Sequence, residues 1–197
     1  MTRFLSRTPI LLASLVVGAG LLVGCDQSGP DGPDATTYTA SLGALNDSGV
    51  SGQATVTVEG DQFVVNVDAQ GTEANMVHAQ HIHGFASEAS SCPTPAADTS
   101  GDGLVSVSEG APSYGGILVP LDGSLDTAEG LGDLETFPTG DGSYSYEMSI
   151  MTSSLDVNDD QSFEDLRLGD HAIVVHGLTV DSSYQATLPV ACGTLSR

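Results

Sequence analysis

The sequence predicts an antiparallel β-sandwich or barrel of about eight short strands joined by long loops. Three observations lead there. Apolar residues recur at every second position in several short runs, the period of a half-buried strand. Clusters of Gly, Pro, Asp and Ser punctuate those runs throughout. No stretch carries a convincing amphipathic-helix pattern. With 197 residues, the chain is long enough for one good-sized domain.

The opening residues stand apart from that domain. Arg3 and Arg7 give a positive start, Ile10 to Val23 form an uncharged apolar run, and Leu22-Val23-Gly24-Cys25 closes it. That order is the order of a secretory signal. Its end resembles a bacterial lipobox, in which the cysteine is lipidated and becomes the mature N-terminus. The expectation is an extracytoplasmic protein of the bacterial cell envelope, held to the membrane by lipid on Cys25 alone. No other segment approaches the roughly 20 apolar residues needed to span a bilayer. Residues 26–36 are polar and rich in Gly and Pro, so they read as a flexible spacer, and 37–197 read as the β domain.

Within the domain, Thr37 to Leu45 alternates loosely and reads as the first strand. Gln53 to Glu59 alternates cleanly, with Ala54, Val56 and Val58 on one face. Gly60-Asp61 supplies a hairpin turn. Phe63, Val65 and Val67 mark the apolar face of the return strand, and Gly71-Thr72 leads to a further strand over Met76 to His83. Residues 84–116 are rich in Ser, Ala, Gly, Pro and Asp; so long a connection is expected to be functional or ordered by a ligand. Ile117 to Leu121, Ser143 to Met151, His171 to Leu178 and Tyr184 to Leu195 are the remaining strands, with an acidic connection over Leu155 to Asp170.

Charge excludes some partners. All 26 acidic residues follow Cys25, where only Arg167 and Arg197 oppose them and lysine is absent, which leaves the mature chain at −24. Such a surface repels nucleic acid and anionic lipid headgroups. The composition suits a high-salt environment, where self-repulsion is screened, or a surface rich in calcium-type loops. Beyond Cys25 two cysteines remain, Cys92 and Cys192, and an oxidising compartment pairs them.

Chemistry concentrates in His78-Ala79-Gln80-His81-Ile82-His83, which holds three of the five histidines. On a strand, His81 and His83 share one face while Ile82 points to the core. Two imidazoles so placed can grip one metal ion, and imidazole suits copper and zinc. A histidine-bearing strand edge with no metal is the plain alternative. His78 has the opposite parity.

The run His78 to Phe85 resembles the H-x-x-H-x-H segment of copper/zinc superoxide dismutases. Ile173-Val174-Val175-His176 resembles that family's later ligand strand, and Cys92 and Ala191-Cys192-Gly193 resemble its disulfide positions. The resemblance implies a Greek-key β-sandwich in which His81, His83 and His176 hold copper, His78 braces a loop, and Cys92 pairs with Cys192. His171 has no counterpart and is expected to be a solvated residue at a strand start. The family's bridging histidine and zinc ligands are missing, because no histidine lies between His83 and His171. Pro189 stands where the family keeps its anion-guiding arginine. Zinc and efficient dismutation are therefore not expected; an enzyme here would be a copper-dependent oxidoreductase. The first half, with His-Ile-His-Gly and Ile117-Leu118-Val119-Pro120-Leu121, also resembles chordin-type (CHRD) domains, which implies a non-catalytic binding or structural module as the alternative.

In the long loop, Asp98 to Glu109 matches the 12-residue calcium pattern D-x-[DNS]-x-D-G-x₅-E. Asp98, Ser100 and Asp102 would offer side-chain oxygens and Leu104 its carbonyl. Ser106 would act directly or through water, Glu109 would use both oxygens, and Gly103 would allow the sharp turn. No clear helix is expected on either side. Asp156-Val157-Asn158-Asp159-Asp160 begins a second such pattern but lacks its glycine and its glutamate.

Overall fold

The protein is described here from a computed structural model covering residues 34–125, 131–158 and 162–197. The signal segment, Cys25 and most of the spacer lie outside the described residues. Eight strands, all paired antiparallel, form one sheet curled into a half-barrel: β1 (Ala35–Ala44), β2 (Ser51–Glu59), β3 (Gln62–Gln70), β4 (Gln80–Gly84), β5 (Gly116–Pro120), β6 (Ser143–Met151), β7 (Ala172–Val180) and β8 (Ser183–Thr194). The order across the sheet is β5-β4-β7-β8-β1-β2-β3-β6. The expected all-β architecture is thus the observed one. β1 begins two residues inside the stretch read as spacer.

Alternation places the core. Ala54 and Val56 on β2, Phe63, Val65 and Val67 on β3, and Tyr144 and Tyr146 on β6 all face inward. They meet Ile82, Leu118, Ile173, Val175 and Val190 from the other half of the sheet. Burying a side chain such as Phe63 is worth about 1.5–3 kcal/mol, so this inner face is the main source of stability. Two-residue hairpins fix the register at Glu59↔Gln62 and Val180↔Ser183. In the second, Asp181 and Ser182 both take positive φ, the arrangement of a type I′ turn.

β7 is buried on both faces. Ile173 and Val175 join the main core, while Ala172 and Val174 meet Leu45, Tyr114 and Cys192 in a second apolar cluster on the outer face. Cys92 and Cys192 are joined in a disulfide with Cα atoms 5.6 Å apart, which ties the long connection after β4 to β8.

Two expectations are corrected. A helix exists: α1 (Val107–Tyr114) lies in the long connection, directly after the calcium-type sequence. Gly110 and Pro112 inside it lower its intrinsic propensity, so pattern alone does not reveal it. A capping box compensates, with Ser106 as N-cap and Glu109 at N3. The strand expected from Met76 starts only at Gln80. Before it, His78 N–H donates to the Pro138 carbonyl at 2.9 Å and Val77 makes an isolated bridge with Thr139.

Candidate metal centre

The period-two rule puts Ile82 in the main core and turns His81 and His83 to the outer face. There they stand over β7, with His81 opposite Val174 and His83 opposite Ala172. His176 arrives from β7 on the same face. The ladder shifts register between Ile82 and His83 and on both sides of His176. The extra residues fall on β5 and β8, so alternation along β4 and β7 alone turns His83 and His176 to this face. The ring centroids are 5.4 Å apart for His81–His83, 5.1 Å for His81–His176 and 5.7 Å for His83–His176.

All three rings are buried, and each is tied by one nitrogen to a main-chain carbonyl. His81 Nε2 lies 3.0 Å from Leu131 O, His83 Nδ1 lies 3.1 Å from Gly115 O, and His176 Nδ1 lies 2.7 Å from Thr187 O. A carbonyl only accepts, so each of these nitrogens carries the proton. The remaining nitrogens, His81 Nδ1, His83 Nε2 and His176 Nε2, are buried without a hydrogen-bond partner. One nitrogen from each ring lies within 4.8 Å of the others, close enough to hold one metal ion. The sequence-predicted trio is therefore brought together.

Electrostatics agrees with the wiring. Burial pushes the His81 imidazole down to about 4 and, helped by the neighbouring His81 charge, pushes His83 down to about 3. Burial and the two companion rings hold His176 well below its ordinary value. Neutral imidazoles keep their lone pairs free for a cation. Unpaired buried lone pairs are costly unless something takes them, and a metal ion does so.

The long connection forms the cover. Tyr114 packs its ring 4.6 Å from that of His83 and donates its hydroxyl to Val107 O at 3.1 Å. Gly115 has φ +86°, and a Cβ there would lie 2.1 Å from Gly84 O; only glycine lets this carbonyl reach His83. Phe137 sits edge-on to His81 at 5.4 Å. A cavity of about 230 Å³ opens onto the three histidines. Its other walls are Ala79, Val107, Ala111, Tyr114, Gly115, Gly116, Ile117, Leu131, Leu134 and Thr187, none of them charged. Arg167 pairs with Asp170 at 2.9 Å and Arg197 lies over the Tyr38 ring, so neither arginine serves the cavity.

His78 stays out of the trio. It is fully buried, with Nδ1 3.0 Å from His176 O and Nε2 3.1 Å from Glu73 O. Each ring nitrogen faces a main-chain carbonyl, and the ring links the segment before β4 to β7. His171 is not solvated as expected but 1% exposed, against Gly84, whose missing Cβ leaves the room.

Asp98 to Glu109 folds into a tight loop leading into α1. Asp98 accepts from Gly101 and Gly103 N–H at 2.7 and 2.8 Å and from Ser100 Oγ at 3.1 Å, and Asp102 accepts from Leu104 N–H at 2.9 Å. Glu109 accepts from Thr99 and Ser100 N–H through one oxygen and from Ser106 N–H and Oγ through the other. These donors hold Asp98 below its ordinary range and bring Glu109 to about 2, Ser106 contributing most. Both Glu109 oxygens thus face amides of the loop. Among the described residues, no three acidic side chains converge as the histidines do. The second such pattern lies partly outside the described residues.

Asp122 is a site residue that motif reading misses. It is 1% exposed; Oδ1 accepts from Ser124 and Leu125 N–H, and Oδ2 accepts from Asp133 N–H at 2.9 Å. It thereby anchors the segment whose Leu131 carbonyl orients His81. The available signal is an aspartate followed by Gly-Ser at a strand end, the mark of an Asx-turn.

Fold and site together define an all-β domain with a buried three-histidine centre able to hold a metal ion. No family model matches the chain, and no curated protein matches it.

Proposed function

We propose that this is a lipid-anchored, extracytoplasmic protein of the copper/zinc superoxide dismutase type, in which His81, His83 and His176 hold copper. The observation that carries the reading is the set of three buried imidazoles, each with one nitrogen bonded to a main-chain carbonyl and the other left free. Three neutral nitrogen donors with no carboxylate or thiolate among them favour copper(II), which outranks other divalent first-row ions at such a site. Copper held there would supply one-electron chemistry. This chain's residues would fix the imidazole tautomers and exclude water; nothing in the cavity wall attracts an anion. Superoxide, repelled by a mature chain of net charge −24, would be a poor substrate.

The uncharged wall also favours a second reading, a non-catalytic module of chordin type that holds metal without turnover. Calcium in the Asp98–Glu109 loop belongs to both readings. The helix that follows position nine of the loop supports it, although the ion would have to draw the Glu109 oxygens from their amides.

Loading the full chain with copper(II) tests the proposal through stoichiometry, the EPR spectrum and superoxide turnover. One copper per chain, lost in His81→Ala and His176→Ala, is expected. Absence of tight binding, or binding unchanged in both variants, overturns the metal reading. Copper without turnover above the free ion selects the module. For calcium, a rise in Tm that Asp98→Ala abolishes is expected; no rise in the parent chain removes that site.

A further inference from the structure

We infer that the cavity in front of the three histidines is a binding site for a small uncharged, largely apolar molecule about the size of one aromatic ring. Size is the first argument. The cavity holds about 230 Å³, whereas an apolar cavity of about 150 Å³ already takes benzene.

Lining is the second. Tyr114, Ala111 and Ile117 form the walls, and the polar tip of Tyr114 is turned away onto Val107 O. At the mouth stand Val107, Leu131 and Leu134, exposed to 39, 46 and 42%. Only one other large hydrophobic among the described residues, Met151, is that exposed. An apolar rim concentrated around one opening marks a binding surface, where scattered exposure would not.

The floor gives the third argument. It consists of the three histidines, whose unpartnered nitrogens lie buried beneath the cavity surface. The surface that an occupant meets there is therefore almost wholly apolar. A charged occupant would lose its hydration against walls that return nothing. An anion would also meet the chain's own negative field.

The test uses the full chain and two probes. In the metal-free protein, phenol is titrated while the amide signals of Gly115, Gly116 and Ile117 are followed by NMR, with benzoate as the charged ring of similar size. Saturable phenol binding is expected, with benzoate weaker by about tenfold or more. Leu134→Asp at the exposed rim and Ala111→Leu in the wall should each weaken phenol while leaving distant amide signals in place. No saturable phenol binding, equal binding of benzoate, or parent-like binding in both variants overturns the inference. So does a rim occupied by a second copy of the chain, seen as a dimer that phenol does not dissociate. A chain that takes phenol but holds no copper keeps the cavity site and loses the metal reading. One that holds copper but takes no phenol does the reverse.

Discussion

Acidifying the metal-free protein should unfold it through the same three imidazoles that would bind metal. In the unfolded chain each titrates near its ordinary value of 6.5, whereas in the folded protein His81 lies at about 4, His83 at about 3 and His176 well below 6.5. Between those values the unfolded chain binds more protons, so stability is full above pH 6.5 and falls as pH falls. At about pH 5 His81 and His83, held neutral, each cost about 2 kcal/mol relative to neutral pH, or about 4 kcal/mol together, and His176 adds in the same direction. His171, also lowered by burial, adds in the same direction. A loss of that size is comparable with the whole stability of a domain, about 5–15 kcal/mol. Carboxylates do not mask it, because Asp98, Glu109 and Asp165, with ordinary values of 3.8, 4.5 and 3.8, lose their contribution mainly at lower pH. Relief of self-repulsion would oppose it, but about 1 M salt shortens the screening length to about 3 Å. The assay is urea unfolding of the disulfide-intact, metal-free chain in that salt, at about pH 7.5 and pH 5. His83→Leu should shrink the drop by about 2 kcal/mol, one ring's share. A midpoint that does not move between the two pH values would refute the reasoning.

Removing the disulfide with Cys92→Ala and Cys192→Ala frees a loop of 100 residues, so the unfolded chain gains entropy and stability should fall by about 4–5 kcal/mol, read from urea midpoints. Asp122→Ala leaves three amide donors without their acceptor and should cost about 2–3 kcal/mol in thermal or urea unfolding. Because the Leu131 carbonyl loses its anchor, the same variant should weaken copper binding by about tenfold in a competition titration; unchanged affinity would separate Asp122 from the site.

Strands on which one face is buried were legible because alternation is the physical demand of that burial. Ala54-x-Val56 and Phe63-x-Val65-x-Val67 say so directly. Strand ends were less legible. Val77 and His78 run straight into the strand in sequence but pair with Thr139 and Pro138 instead of the sheet. His81 and His83 were legible from alternation, but His176 entered only through resemblance, since nothing local to it announces that β7 pairs beside β4. Ser106 and Glu109 show how one pattern can carry two meanings. Spaced three apart, they are positions nine and twelve of a calcium loop and also a capping box, and the cap reveals the helix. Tyr114, Leu131 and Phe137 lie in connections whose sequence has no period, so their convergence on the histidines depends on the tertiary path.

The three carbonyls that orient the histidines belong to the main chain, and this shapes how the site would respond to sequence drift. A carboxylate brace vanishes with one codon change. The oxygens of Leu131 and Thr187 persist whatever side chain occupies those positions, so long as the backbone keeps its course. Gly115 is the exception, because a Cβ there would meet Gly84 O at 2.1 Å. The tautomers of His81 and His176 are therefore inherited with the fold, and that of His83 with the fold and one glycine.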